Sequence, residues 1–322
     1  HVDALIEAGI VAFKISSFES NPVRFPRIDS SLTLDLLEKL AGTGLPLGLH
    51  NEDQEIVRAR IARLRSAGRD QIEAHSESRP LSAELAATGQ FMGLGQATGA
   101  HVHIVHLSHE DGFAQVGAFA GIGVAATGEL CVHYLCFDPE RDGPSLSTRM
   151  KVNPPIRPGA IDGLWRALER GQVAFVSSDH ASWPIDNKLG LSVYDAGAGI
   201  PGLETLLPAF YTAAGRRGHD AAVLAANYLC QRPARFFGID HRKGAITPGL
   251  DADFCVLEPG EFTWDPARAH DGLNWSPFGG RSFDVRVAAT WLRGQQAWDG
   301  SQLLARQGDG RYLARRRPDG AH

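Results

Sequence analysis

The sequence predicts an α/β protein: a parallel sheet covered by helices, followed by a smaller β unit. Three observations carry that prediction. Short apolar runs bounded by Gly, Pro or Ser recur up to about residue 215. Amphipathic segments separate those runs, and an alternation of this kind builds a parallel sheet with helices on its faces. Beyond that point the chain changes style, to short strand-like pieces rich in turn residues.

In chain order, the buried-strand candidates are residues 11–16, 45–50, 101–108, 123–130 and 173–180. Each is short and largely apolar, as a strand covered on both faces must be. The helix candidates are 33–41, 54–67, 82–98 and 161–170, where apolar residues recur at helical spacing. A further helix over 220–231 leads into strand-like pieces at 244–257 and 286–294. We therefore divide the chain into a main domain, 1–240, and a small β domain with its tail, 241–322. The tail after 303 is rich in arginine and is expected to be a loosely held, solvated end.

Composition excludes several classes. Apolar residues are 43% and charged residues 21% of the 322, which is ordinary for a globular protein. With 32 basic and 37 acidic side chains the net charge is −5, which argues against a nucleic-acid or anionic-membrane binder. No apolar run approaches the ~18 residues that span a bilayer. Four cysteines, at 131, 136, 230 and 255, form no CxxC pair and suit a reducing cytosol. The chain opens on His1 and enters at once a helix-like stretch at 3–9, so we expect it to start inside a domain.

Four polar residues stand at or near the C-terminal ends of the strand candidates: Lys14, His50, His106 and Asp179. In a parallel α/β barrel that edge collects catalytic groups, because the βα loops converge there. A lone strand-end histidine is more often a hydrogen-bonded structural residue, and a lone Asp there often caps the next helix. Lys14 in an apolar run is harder to explain, since a buried unpaired ammonium is costly. A desolvated lysine has a lowered pKa, and a neutral amine adds carbon dioxide to give a carbamate able to bridge two divalent metals. Histidine and aspartate ligands with such a bridge suit zinc, with manganese or cobalt as substitutes. His101 and His103 share one strand face at the strand's start, with His106 on the other, and a structural role is expected for both. No phosphate-binding glycine loop and no Gly-x-Ser-x-Gly elbow is present.

Taken together, these residues resemble the cyclic amidohydrolases: hydantoinases, dihydropyrimidinases, allantoinases and dihydroorotases. The resemblance rests on 13–15 (Phe-Lys-Ile), 48–53 (Gly-Leu-His-Asn-Glu-Asp), 105–108 (Val-His-Leu-Ser), 129–135 (Glu-Leu-Cys-Val-His-Tyr-Leu), 151–157 (Lys-Val-Asn-Pro-Pro-Ile-Arg) and 178–181 (Ser-Asp-His-Ala), in order and spacing. It extends through 199–204, 233–238, 249–253 and 276–281, and covers nearly the whole chain.

The resemblance implies a (β/α)8 TIM-type barrel, of which strands four to eight are visible, and part of a small β-sandwich. It implies a carboxylated Lys14 bridging two metals, His50 and His106 on the second metal, and Asp179 on the first, acting as general base and acid. Asn153 and the backbone near Gly199 would bind the ring amide. Hydrolytic opening of a cyclic amide or imide by a metal-bridging hydroxide would follow, in a cytoplasmic homotetramer or dimer. The family's His-x-His pair has no counterpart here, so we expect an upstream segment to supply it. Trp183 stands where dihydroorotases carry histidine, and Glu19 where dihydropyrimidinases carry tyrosine. Trp183 instead suggests an apolar wall for a ring substituent. The alternative is a non-catalytic scaffold related to dihydropyrimidinases, or an inactive fragment.

Overall fold

The structure is a computed structural model that describes residues 1–316. The elements in chain order are α1 (Val2–Glu7), β1 (Phe13–Ser16), α2 (Ser30–Leu40), β2 (Pro46–His50), α3 (Gln54–Ser66), α4 (Ile72–Ser78), α5 (Leu81–Thr98) and β3 (His101–Ile104). There follow α6 (Glu110–Gly121), β4 (Ala126–Gly128), β5 (Leu130–Cys131), α7 (Val132–Cys136), α8 (Pro139–Leu146), α9 (Ile161–Glu169) and β6 (Val176–Ser177). The last are α10 (Leu206–Arg216), α11 (Ala221–Ala225), α12 (Arg232–Phe236), β7 (Phe254–Thr263), β8 (Ser282–Leu292) and β9 (Gln295–Trp298). They form two compact units. One comprises Ala12–Leu203 with Pro266–Pro277; the other His1–Val11, Glu204–Asp265 and the residues from Phe278 onward.

The first unit holds a parallel sheet in the order β1-β2-β3-β4, and a parallel pair β5-β6. β1, β2, β3 and β5 are each followed by helix, which is the βα alternation of a TIM-type barrel. The strands are short and apolar, and β2 is buried along its whole length. Helix starts follow local chemistry: Asp29 and Asp53 accept from the main-chain N–H groups of Leu32 and Ile56, capping α2 and α3. α6 was not foreseen; its cap is His109, whose Nδ1 accepts from the N–H of Asp111 at 3.2 Å. α5 packs on β3, with Gly95 against the methyl groups of Val102.

The second unit centres on the antiparallel sheet β7-β8-β9, with α10 against β8. The main-chain N–H of Asp284 donates to Thr212 Oγ1 at 2.8 Å, and Arg216 pairs with Asp284 at 2.7 Å. The helix expected over 220–231 is α11 continued by a π-helical stretch, Ala226–Gln231, into α12. The tail is not loosely held where it is described. The N–H groups of Arg315 and Arg316 donate to Gly9 and Gly238 carbonyls at 3.0 and 2.9 Å, and Tyr312 Oη donates to Ala8 O at 2.9 Å. Its last residues, 317–322, lie outside the described residues.

A Cβ on Gly95 would lie 2.6 Å from both methyls of Val102, whose χ1 is stiff. Gly95→Ala is expected to destabilise the protein by about 1–3 kcal/mol through overpacking. A urea midpoint lowered at constant m-value is the result that checks this.

Candidate active site

The candidate site lies at the C-terminal ends of the parallel strands. His50 is the last residue of β2. His106 and Asp179 come two residues after the ends of β3 and β6. Both leave the strand through left-handed backbone, with φ of 45° and 44°. A non-glycine residue in that region is held there by its surroundings, which is common at functional sites. The strand alternation expected to set His106 apart from His101 and His103 therefore does not govern it: β3 has ended at Ile104, and the turn at His106 decides its direction.

The geometry brings the two histidines together. His50 Nδ1 lies 2.9 Å from His106 Nε2, in an edge-on arrangement of the rings. Both side chains are buried. His50 Nε2 donates to Glu52 Oε2 at 2.8 Å, and Arg79 Nη1 donates to the same oxygen. Burial opposes the charge on Glu52, but Arg79 and the His50 hydrogen bond hold its carboxyl well below the usual range. A carboxylate only accepts, so His50 carries a proton on Nε2 and turns Nδ1 toward His106. Burial, with His50 and Lys14 near, pushes His106 well below the ordinary histidine pKa and leaves it neutral. Burial raises Asp179, while Lys14 and His50 pull it down. The four expected ligand residues thus share one electrostatic environment.

Lys14 departs from expectation in one respect: its side chain is exposed rather than buried, with Nζ 5.4 Å from the centre of the Phe25 ring. β1 is the edge strand of the described sheet, and the residue facing Lys14 across the ladder is Gly48, which contributes no side chain to cover it. The argument from a costly buried ammonium therefore does not hold. The adjoining row is filled by His103, which donates through Nε2 to Glu129 at 3.2 Å and meets Thr127 Oγ1 through Nδ1 at 2.8 Å. His101 also meets Thr127, at 2.9 Å, so both histidines of that pair are engaged in the strand interior.

For metal binding, the donor chemistry fits. Two imidazoles present nitrogens to each other at close range, and His106 Nδ1 is buried without a hydrogen-bond partner. Among the described residues, no three His, Cys, Asp or Glu side chains alone converge as a metal cluster.

The segment 151–157 adjoins this centre. Asn153 Oδ1 is buried and lacks a hydrogen-bond partner, as an atom that waits for a ligand would. His75 Nε2 donates to Val152 O at 2.8 Å and fixes the residue before it. Gly199 has φ of 123°, and a Cβ there would lie 2.4 Å from that of Ala181. Its own N–H donates to Lys151 O at 2.9 Å, and its carbonyl accepts from Lys188 Nζ at 2.9 Å. Gly199's N–H is thus already committed, and any ring contact from this backbone comes from its neighbours or from the carbonyl's second lone pair. Trp183 lies over Gly197 and Gly199, with Nε1 donating to Ala198 O at 2.8 Å.

Sequence reasoning missed the residues that support this arrangement. Glu52, Arg79, Glu84, Arg157, His75 and Lys188 are all buried. Glu52 and Arg157 lay inside quoted motifs, and a carboxylate two residues after a strand-end histidine was the available signal. Lys188 carried none: its Nζ donates to the carbonyls of Lys151, Gly197 and Gly199 at 3.0, 2.7 and 2.9 Å, and Lys151 lies 37 positions away in sequence.

Comparison with known proteins gives the chain's kinship. The model of the amidohydrolase family matches residues 61–297. The chain is 34% identical to an allantoinase of Rubrobacter xylanophilus, over 99% of this chain and 70% of that protein. It is 29% identical to an L-hydantoinase of Paenarthrobacter aurescens, over 97% of this chain and 68% of that protein. Among solved structures it superimposes on an L-hydantoinase (dihydropyrimidinase) from Arthrobacter aurescens with a TM-score of 0.93 and 28% identity, covering 98% of this chain and 70% of that one. The chain belongs to the amidohydrolase family. Its kinship over nearly its whole length is with that family's hydrolases of cyclic amides, the allantoinases and hydantoinases.

Burial, and for each a neighbouring cation, pushes Lys188 and Lys151 down to about 7. An unfolded lysine keeps its proton to about 10.5, so between those values the unfolded chain binds more protons and stability rises with pH. We expect the thermal midpoint to climb between about pH 6.5 and about pH 8.5, and to climb less in Lys188→Met. That variant also leaves three carbonyls without their donor, so its midpoint is lower throughout. An identical pH slope in both proteins would contradict the assignment.

Proposed function

We propose that this chain opens the ring of a cyclic amide or imide of the hydantoin, dihydropyrimidine or allantoin type by metal-assisted hydrolysis. The observation that carries the reading is the His50–His106 pair: two buried imidazoles whose nitrogens meet at 2.9 Å, beside Lys14 and Asp179 at the strand ends. His50 and His106 would hold one divalent ion, zinc by preference with manganese or cobalt as substitutes. Asp179 would hold the other, and Lys14, carboxylated, would bridge the two. Carboxylation of the exposed Lys14 would start from its ammonium, which gives up one proton to free the nitrogen lone pair and a second as the N–C bond to carbon dioxide forms. When bound, such a pair of ions supplies an ionised water at neutral pH and polarises the ring carbonyl.

The remaining steps belong to the chain's own residues. Asp179 takes the proton of the attacking water and gives it to the ring nitrogen as the C–N bond breaks. Asn153 offers its free amide oxygen to the ring N–H, which orients the carbonyl. The backbone about Gly199, held by Lys188, borders the ring on one side. Trp183 would wall a ring substituent. The enzyme would work in the cytoplasm as a homotetramer or dimer. No helix among the described residues is long and apolar enough to cross a membrane.

Elemental analysis of protein prepared with bicarbonate tests the site. About two divalent ions per chain are expected for a bridged pair. Lys14→Ala is expected to lose most of them and at least about 100-fold of its activity on a panel of hydantoins, dihydropyrimidines and allantoin. Metal content unchanged in Lys14→Ala would remove Lys14 from the site.

A further inference from the structure

Two buried ion pairs adjoin the histidines. Glu52 is fully buried, and one of its oxygens takes both the His50 Nε2–H and the Arg79 guanidinium. Arg79 lies over the Phe18 ring, 4.4 Å from its centre. Behind His106, Ser108 Oγ donates to Glu84 at 2.6 Å and accepts from Arg157 Nε at 2.8 Å, while Arg157 also pairs with Glu84. Arg157 Nη2 then donates to the Arg79 carbonyl at 3.1 Å, joining the two pairs.

Buried pairs of this kind are costly, since an apolar pair of the same volume is often as stable or more so. Stability alone therefore does not account for four charged side chains in one core. What they do have in common is direction. One pair ends on the ring of His50, the other on the residue two beyond His106.

We infer that Glu52, held by Arg79, is the positioning residue that presets His50 as a metal ligand: by accepting the Nε2 proton it keeps the Nδ1 lone pair aimed at the His106 ring before any ion arrives. The Arg157–Glu84–Ser108 cluster fixes the other histidine's turn in the same frame. This rests on the metal reading above and deepens it. A ligand imidazole whose far nitrogen is held by a carboxylate has a fixed tautomer and a more basic donor atom, and loss of such a partner weakens metal binding about 10–100-fold. Sequence distance hides the arrangement, because Glu52 and Arg79 belong to different loops.

Two measurements test it. The first uses the unaltered protein without metal: 15N spectra of labelled histidines, with His50 assigned by difference. His50 is expected in the Nε2–H form, and a proton found on Nδ1 would overturn the inference. The second is zinc affinity by chelator competition in Glu52→Gln, which keeps shape and removes charge. A loss of about 10–100-fold with a mixed His50 tautomer is expected; affinity within about twofold of the parent would overturn the inference. If Glu52→Gln fails to fold, the first measurement still decides. His50→Ala separates the two levels of the argument. Unchanged zinc binding there removes the metal reading, whereas the tautomer, measured without metal, reports on Glu52 alone.

Discussion

The Arg79–Glu52 ion pair is the constraint from which the rest of the site follows. An ionised carboxylate with no exposed surface survives only if cations and donors surround it. Glu52 meets that demand through one oxygen, which accepts from both Arg79 and the His50 ring, while its other oxygen is buried without a hydrogen-bond partner. The same requirement fixes which nitrogen of His50 carries the proton, and so which nitrogen faces His106. Arg157 extends the frame by holding the Arg79 carbonyl and the Glu84 carboxylate together. The histidine pair and the segment carrying Asn153 are thereby parts of one polar core.

A second cationic element shapes the opposite side. Lys188 is buried without a carboxylate and is satisfied by three main-chain carbonyls. It gathers residues 151, 197 and 199 around one ammonium, which is how a glycine-rich loop acquires a defined shape. Gly199 is required there because its φ of 123° and its contact with Ala181 both exclude a Cβ. The floor under Trp183 is therefore built by a lysine that takes no part in the chemistry proposed for the site.

Much of this was legible in the residues. The strand and helix alternation and the strand-end positions of His50 and His106 follow from local patterning. The ordered motifs pointed to the amidohydrolases, and kinship with allantoinases and hydantoinases agrees with them. Other features were not legible. The exposure of Lys14 depends on its edge strand and on Gly48 beside it, which apolar neighbours in sequence do not reveal. The tail near residue 315 reads as a charged end, yet its backbone bonds to Gly9 and Gly238.

The sequence by itself determined the alternation of elements, the family and the set of residues that carry the proposed chemistry. It did so because period, capping and motif order are properties of neighbouring residues. Only the tertiary structure decided which nitrogen of His50 is free, which lysine is buried and which carboxylate supports the histidine pair. Those outcomes depend on desolvation and on partners tens of residues away. A buried charge takes whatever partner the fold brings to it, and no local pattern names that partner in advance.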